Sequence, residues 1–270
     1  MSKNLGLGDR MKLYEEVTRT KLPPRTYTFI RVDGRSFSNF TKKFKRPFDD
    51  DFVNMMNQTA ITLCEEVQGC KIGFVQSDEI SIIMTDFDDI NTSSWFDGTV
   101  QKICSNSASI ATKAFNKAFL QWLINKEITK LDLGVPYPDE KVISFSDLAK
   151  IFEVIKESDG GCFDSRVFTI PSPTDVINNL IWRQQDASRN SVSAVAQSYY
   201  SHKQLEGKNN SEKQEMIFQK GDNWNDYPVG VKRGRVIVRG EDGKWGVVEP
   251  PIFTQEEGWD FLKNIIPNYK

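Results

Sequence analysis

Between residues 26 and 170 the apolar residues change period in the order strand, helix, strand, strand, helix, strand, and this order constrains the fold more than any other feature of the chain. The first strand covers residues 26–32 and stops at Asp33-Gly34. After a loop over 37–47, Phe52, Val53, Met56, Ala60, Leu63 and Val67 recur at helical spacing, with acidic residues at 49–51 on the positive end of the helix dipole. Gly69 closes that helix. Residues 72–75 and 80–84 read as two strands joined by a tight turn, Gln76-Ser77-Asp78-Glu79. A long helix starts near Trp95 and carries Ala111, Phe115, Ala118, Phe119 and Trp122 on one face; residues 166–170 form the fourth strand, ended by Pro171. The order predicts an α+β, ferredoxin-like βαββαβ fold, with an antiparallel sheet and both helices on one face. Its first and third strands are central and its second and fourth lie at the edges.

Residues 125–161 are rich in Lys and Glu and read as an insertion holding a short helix over 145–155. Beyond residue 171 the pattern predicts a helix capped by Thr174 and running to residue 200, a polar linker over 201–225, a β-hairpin over 231–248 and a last helix over 254–265. Two regions follow from this: residues 1–171, with the insertion, and a C-terminal helix and hairpin region, 172–270, packed on the first.

Composition removes several chemistries. The 270 residues include one histidine, His202, in a polar stretch, so histidine triads and multi-histidine metal sites cannot be built within this chain. Four cysteines lack any CxxC spacing and point to free thiols. The net charge of −2 argues against a nucleic-acid binder at first sight, although binding depends on local patches. No stretch is apolar enough to span a bilayer, and the N-terminus lacks the pattern of a secretory signal; a cytoplasmic protein without membrane partners is expected.

What remains are carboxylates, hydroxyls, cationic side chains and bound ions. In the βαββαβ topology the end of the first strand sits beside the turn entering the third, which brings Asp33 to Asp78. Neighbouring carboxylates at strand ends repel each other unless a cation lies between them. Magnesium takes one or two carboxylates together with water and phosphate oxygens, and the carbonyl of Gly34 could add a ligand. Asp-Gly and Ser-Asp-Glu are also common turn sequences, and it is the topology that favours the metal reading. Arg35, Arg46, Lys102 and Arg166 are among the cations available to a triphosphate. Phe37 either stacks on a base or packs in the core, with packing favoured. Glu79 adjoins Asp78 but can face the other way. Arg183 and Asp186, three apart on a helix, match a simple ion pair as well as a site.

The segments RVDGRSF, Arg46-Pro47, QSDEISI, FDSRVFTIPS and WRQQD, in this order, resemble the tRNA(His) guanylyltransferase superfamily. The resemblance implies a polymerase-type palm in residues 1–171 and 3′-to-5′ nucleotide addition to RNA 5′ ends. It implies two magnesium ions held by Asp33, the backbone of Gly34 and Asp78. The nucleotide cradle would be built from Asp33, Gly34, Arg35, Ser36, Phe37 and Ser38 with Ser77 and Asp78, and the triphosphate positions would be Arg46, Lys102 and Arg166. Substrates would be ATP and GTP or other nucleoside triphosphates and the 5′ end of a tRNA or tRNA-like RNA, and a homo-oligomer, a tetramer by family analogy, is expected. The eukaryotic enzymes carry His-Ile-Asn-Asn-Leu-Tyr-Asn after Trp-Arg-Gln-x-Asp, whereas residues 187–194 here read ASRNSVSA. The chain is thus more similar to the guanylyltransferase-like proteins of bacteria, archaea and phages, which implies templated repair of 5′-truncated tRNA. A nucleotidyl cyclase on the same palm and a non-catalytic RNA- or nucleotide-binding module stand as alternatives.

Overall fold

In the computed structural model, which describes residues 5–130 and 144–268, a helix, α1 (Leu7–Glu16), precedes the first strand, β1 (Tyr27–Gly34). A four-residue helix, α2 (Phe37–Phe40), and a 3₁₀ turn interrupt the loop expected over 37–47. Helix α3 (Asp50–Glu66) begins where Asp49 caps it, its carboxylate accepting from the Phe52 amide at 3.0 Å. Such a cap satisfies one orphan amide of the first turn and contributes about 1 kcal/mol. Strands β2 (Cys70–Gln76) and β3 (Glu79–Met84) follow, then helix α4 (Val100–Lys130). The long helix therefore starts after Trp95, which belongs to a preceding 3₁₀ turn. Part of the expected insertion, residues 131–143, lies outside the described residues; helix α5 (Phe145–Glu157) and strand β4 (Phe163–Ile170) come next.

Helix α6 (Pro173–Tyr199) is capped by Ser172, not Thr174, because the Ser172 hydroxyl accepts from the Asp175 amide and Pro173 suits the first helical position. The stretch read as a polar linker contains two helices, α7 (His202–Leu205) and α8 (Asn210–Phe218), both with capping boxes. A short helix, α9 (Val229–Arg233), leads into the hairpin of β5 (Arg235–Arg239) and β6 (Trp245–Val248), and α10 (Glu256–Ile265) is the last helix.

The six strands form one antiparallel sheet in the order β4-β1-β3-β2-β5-β6. Its β4-β1-β3-β2 portion has the expected central pair, β1 and β3. The expected edge position of the second strand is corrected: β5 pairs with β2 through Gly73, Phe74 and Val75. The hairpin satisfies backbone groups that an edge strand would leave open. Alternation along β1 sends Ile30 and Val32 to a core shared with α3 and α4, including Met56, Leu63, Phe115 and Phe119. Tyr27 and Phe29 point to a second core with Val176, Leu180, Phe253 and Leu262, under α6 and α10. Each fully buried large side chain contributes roughly 1.5–3 kcal/mol, so both faces of the sheet are anchored and its polar end is left free to carry chemistry.

Candidate active site

The two aspartates far apart in sequence meet at one end of this sheet. Asp33, next to last in β1, lies opposite Glu79 of β3 and opposite Asp164 of β4. The Gly34 amide donates to the carbonyl oxygen of Asp78 at 3.1 Å, and the Arg35 amide to that of Cys162 at 2.8 Å. Backbone bonds thus tie the end of β1 to the β2–β3 turn and to the start of β4. A side chain at Gly34 would meet the Phe37 ring at 2.5 Å, so glycine is required by the close approach of that ring. Ser36 and Ser77, the two serines assigned to the cradle, both have positive φ, 59° and 47°. Non-glycine residues in that region are uncommon and concentrate at ligand-binding turns.

Alternation places Asp33 on the face that also carries Arg31, Glu79 and Arg166. Arg166 Nη2 lies 4.0 Å from Asp33 Oδ2 and 3.8 Å from Asp164 Oδ1, both at the exposed rim. Behind them is a less exposed chain of charges centred on the buried Arg183. Arg31 approaches Glu79 at 3.7 Å, Arg183 Nε approaches the other Glu79 oxygen at 3.2 Å, and Arg183 Nη2 donates to Asp186 at 2.6 Å. Asp186 also accepts from Arg189, Asn190 and Gln76. Burial pushes the Glu79 carboxyl up, while Arg183 and then Arg31 pull it down. Glu79 and the Arg183–Asp186 pair are therefore one network joining α6 to the sheet, rather than a simple surface ion pair.

Burial also pushes the Asp78 carboxyl above the ordinary aspartate value; the Asp33 charge acts in the same direction, against a hydrogen bond from the Ser77 hydroxyl. Two repelling carboxylates with carbonyls nearby are hard oxygen donors, a set that fits a magnesium ion retaining water and phosphate ligands. Among the described residues no group of three or more His, Cys, Asp or Glu side chains is placed to hold a metal. The fit is thus to an open two-carboxylate site, not to a closed protein cage.

Beside this end of the sheet a cavity of about 360 Å³ opens, with Ser77 and Gln76 on one wall. Ser38, Phe44, Lys45, Arg46 and Phe52 line it from the loop and α3, Ala187 and Asn190 from α6, and Gly230 and Arg235 from α9 and β5. Arg46 and Ser38 of the predicted set are brought to it with Ser77. Phe37 takes the favoured packing role: its side chain is buried, with Phe163 at 4.9 Å, Phe40 at 5.0 Å and Phe115 at 5.2 Å between ring centroids. Lys102 stands exposed on the first turn of α4 and forms no ion pair among the described residues. Ala187, Asn190, Gly230 and Arg235 line the cavity although the sequence did not point to them. The departure from the eukaryotic motif at 187–194 is the only sequence signal for the α6 wall, and the wall from α9 and β5 has none, since the pairing of β5 with β2 is not written locally.

The sequence profile of the tRNA(His) guanylyltransferase family matches residues 8–171. A solved bacterial tRNA(His) guanylyltransferase (Thg1)-like protein in complex with ATP is 35% identical, with a TM-score of 0.79 over 97% of this chain and 100% of that one. A bacterial Thg1-like protein in complex with GTP is 32% identical, with a TM-score of 0.72 over the same shares. An uncharacterized protein of Acanthamoeba polyphaga mimivirus, R259, is 31% identical over 248 residues, covering 87% of this chain and 78% of its own. The chain belongs to the tRNA(His) guanylyltransferase family, and it is a nucleotidyltransferase of the tRNA-processing, nucleotide-binding kind. No helix among the described residues is long and apolar enough to cross a membrane.

Proposed function

We propose that this protein adds nucleotides in the 3′-to-5′ direction to the 5′ end of a tRNA or tRNA-like RNA, guided by a template base. The observation that carries this reading is the pairing of Asp33 with Asp78 through the Gly34 amide, directly beside a cavity shared with Ser77 and Arg46. The reaction has two displacements. An RNA 5′-monophosphate oxygen attacks the α-phosphorus of ATP, and pyrophosphate leaves. The 3′-hydroxyl of an incoming GTP or other nucleoside triphosphate then attacks the activated 5′-phosphorus; its proton goes to solvent and AMP leaves.

Asp33 and Asp78, with the Gly34 carbonyl, would hold two magnesium ions. Such ions lower the pKa of an attacking hydroxyl and neutralise the leaving oxygens. The chain's own residues bind and orient. Ser36, Ser38 and Ser77 offer hydroxyls and turn amides to phosphate oxygens, and Arg46, Arg166 and Lys102 supply positive charge. Residues 1–171 carry the catalytic groups, and the region from 172 onward closes the cavity. No protein general base is needed, in keeping with a single remote histidine.

The test is a labelled extension assay with 5′-truncated and full-length tRNA, all four nucleoside triphosphates and magnesium. Templated extension of the truncated RNA is expected. Equal incorporation of all four nucleotides opposite a C would refute the template reading. A cyclic product from ATP or GTP without RNA would identify a cyclase, and RNA binding without magnesium-dependent turnover would leave only a binding module.

A further inference from the structure

The cavity holds a buried charge with no counterion. Arg235 opens β5 opposite Val75 of β2, and only 6% of it is exposed. Its Nε donates to Asn57 Oδ1 at 2.6 Å and its Nη1 to the Gly230 carbonyl at 2.9 Å, both neutral acceptors. Among the described residues no carboxylate forms an ion pair with it, and Nη2 meets no protein acceptor. The neighbouring carboxylates are occupied: Asp49 accepts from the Phe52 and Lys45 amides, and Glu249 from the Gly230 amide. Burial alone pulls the guanidinium down to about 10. A buried cation without a counterion is costly to hold. Arg235 thus ties β5 to Asn57 and Gly230 with two of its guanidinium nitrogens, keeps the third uncommitted, and lines the cavity.

We propose that Arg235 gives the pocket for the incoming nucleotide an intrinsic preference for guanine, on which template pairing then acts: its unpartnered Nη2 donates to the O6/N7 edge of a guanine base and disfavours adenine, which presents its N6 amino donor there. The inference rests on the reading of this cavity as the nucleotide site. A base is favoured over a phosphate because Ser77 and the ions that Asp33 and Asp78 would hold, the partners suited to phosphate, lie at the sheet end. The cavity also has an apolar wall, with Phe44, Phe52, Val53 and Ala187, beside polar groups that include Lys45, Arg46, Asp49 and Asn190. Such a wall beside placed polar groups is how aromatic ligands are held.

The experiment measures GTP, ATP and pyrophosphate binding by calorimetry, and thermal midpoints without ligand, for the full chain and for Arg235→Leu and Arg235→Lys. Expected for wild type is GTP bound about tenfold more tightly than ATP. Arg235→Leu should lose that preference by weakening GTP alone, whatever the change in the unliganded midpoint, and Arg235→Lys should recover part of the preference. Equal binding of GTP and ATP by wild type would overturn the proposal. So would a lowered midpoint with the preference intact, which marks a structural residue, or equal weakening of both nucleotides and pyrophosphate, which marks a phosphate clamp. Should wild type bind neither nucleotide, the nucleotide reading of the cavity fails and this inference with it. Retained binding with no dependence on Arg235 defeats the inference alone.

Discussion

The Gly34 amide and the Asp78 carbonyl are joined by a 3.1 Å hydrogen bond, so the end of β1 and the β2–β3 turn are held as one unit. Their carboxylates share that unit, and Asp33 is half exposed at its rim. Asp33→Ala and Asp78→Ala should each reduce nucleotide addition to a 5′-truncated tRNA by about 10²–10³-fold or more, the scale on which preorganised charge acts. Because neither side chain anchors the core, the urea midpoints should stay close to wild type. Near-normal extension by either variant would remove these residues from the site.

Phe37 separates packing from recognition. Its ring is enclosed by Phe40, Phe52, Phe115 and Phe163. Phe37→Ala should cost about 3–5 kcal/mol of unfolding free energy, the range for deleting a buried aromatic. Phe37→Leu should leave nucleotide affinity unchanged when binding is measured by calorimetry. A selective loss of affinity in the leucine variant would restore the stacking role.

Arg183 is buried between Glu79 and Asp186. Removing it as Arg183→Met leaves the Glu79 carboxylate without its nearest cation and should destabilise the protein by about 3 kcal/mol. Adding Glu79→Gln to that background should recover part of the loss, because the stranded charge is gone. Strictly additive effects in denaturant titrations would mean that the two groups are not coupled.

Acid lability has an identifiable contributor at Asp222, which accepts from the hydroxyls of Tyr199 at 2.8 Å and Tyr227 at 2.7 Å. Burial pushes this carboxyl up, but the bonds from Tyr227 and Tyr199 outweigh it and hold it below the ordinary aspartate value. A depressed carboxyl stabilises the fold above its unfolded pKa, and that stability is lost as pH falls through the folded one. The melting-temperature gap between wild type and Asp222→Asn should therefore be full at neutral pH and narrow below about pH 4. A gap that is constant down to the acid transition would contradict this assignment.

The strand and helix order was legible because alternation, Gly69, Pro171 and the Gln76–Glu79 turn are local signals. The Asp33–Asp78 meeting followed from topology, since neighbouring strands bring distant turns together. What stayed hidden depends on long-range pairing. Nothing near Arg235 reveals that its strand joins β2, so neither the far wall of the cavity nor the loss of the β2 edge could be read. Phe37 was ambiguous because an aromatic side chain serves stacking and core equally well, and only its neighbours decide. Helix α1 escaped notice because its apolar residues, Leu7, Met11, Leu13 and Tyr14, lie exposed and give no buried stripe.

The pairing of β5 with β2 also sets a timetable for a chain made from its N-terminus. The strands flanking Asp33 and Asp78 are synthesised first, whereas the partner that covers β2 and supplies Arg235 follows only after β4 and α6. Until then β2 offers open hydrogen-bonding groups to any other strand, a standing invitation to misassembly. Competence to hold a ligand in the cavity is thus acquired well after the two aspartates that flank it have been made.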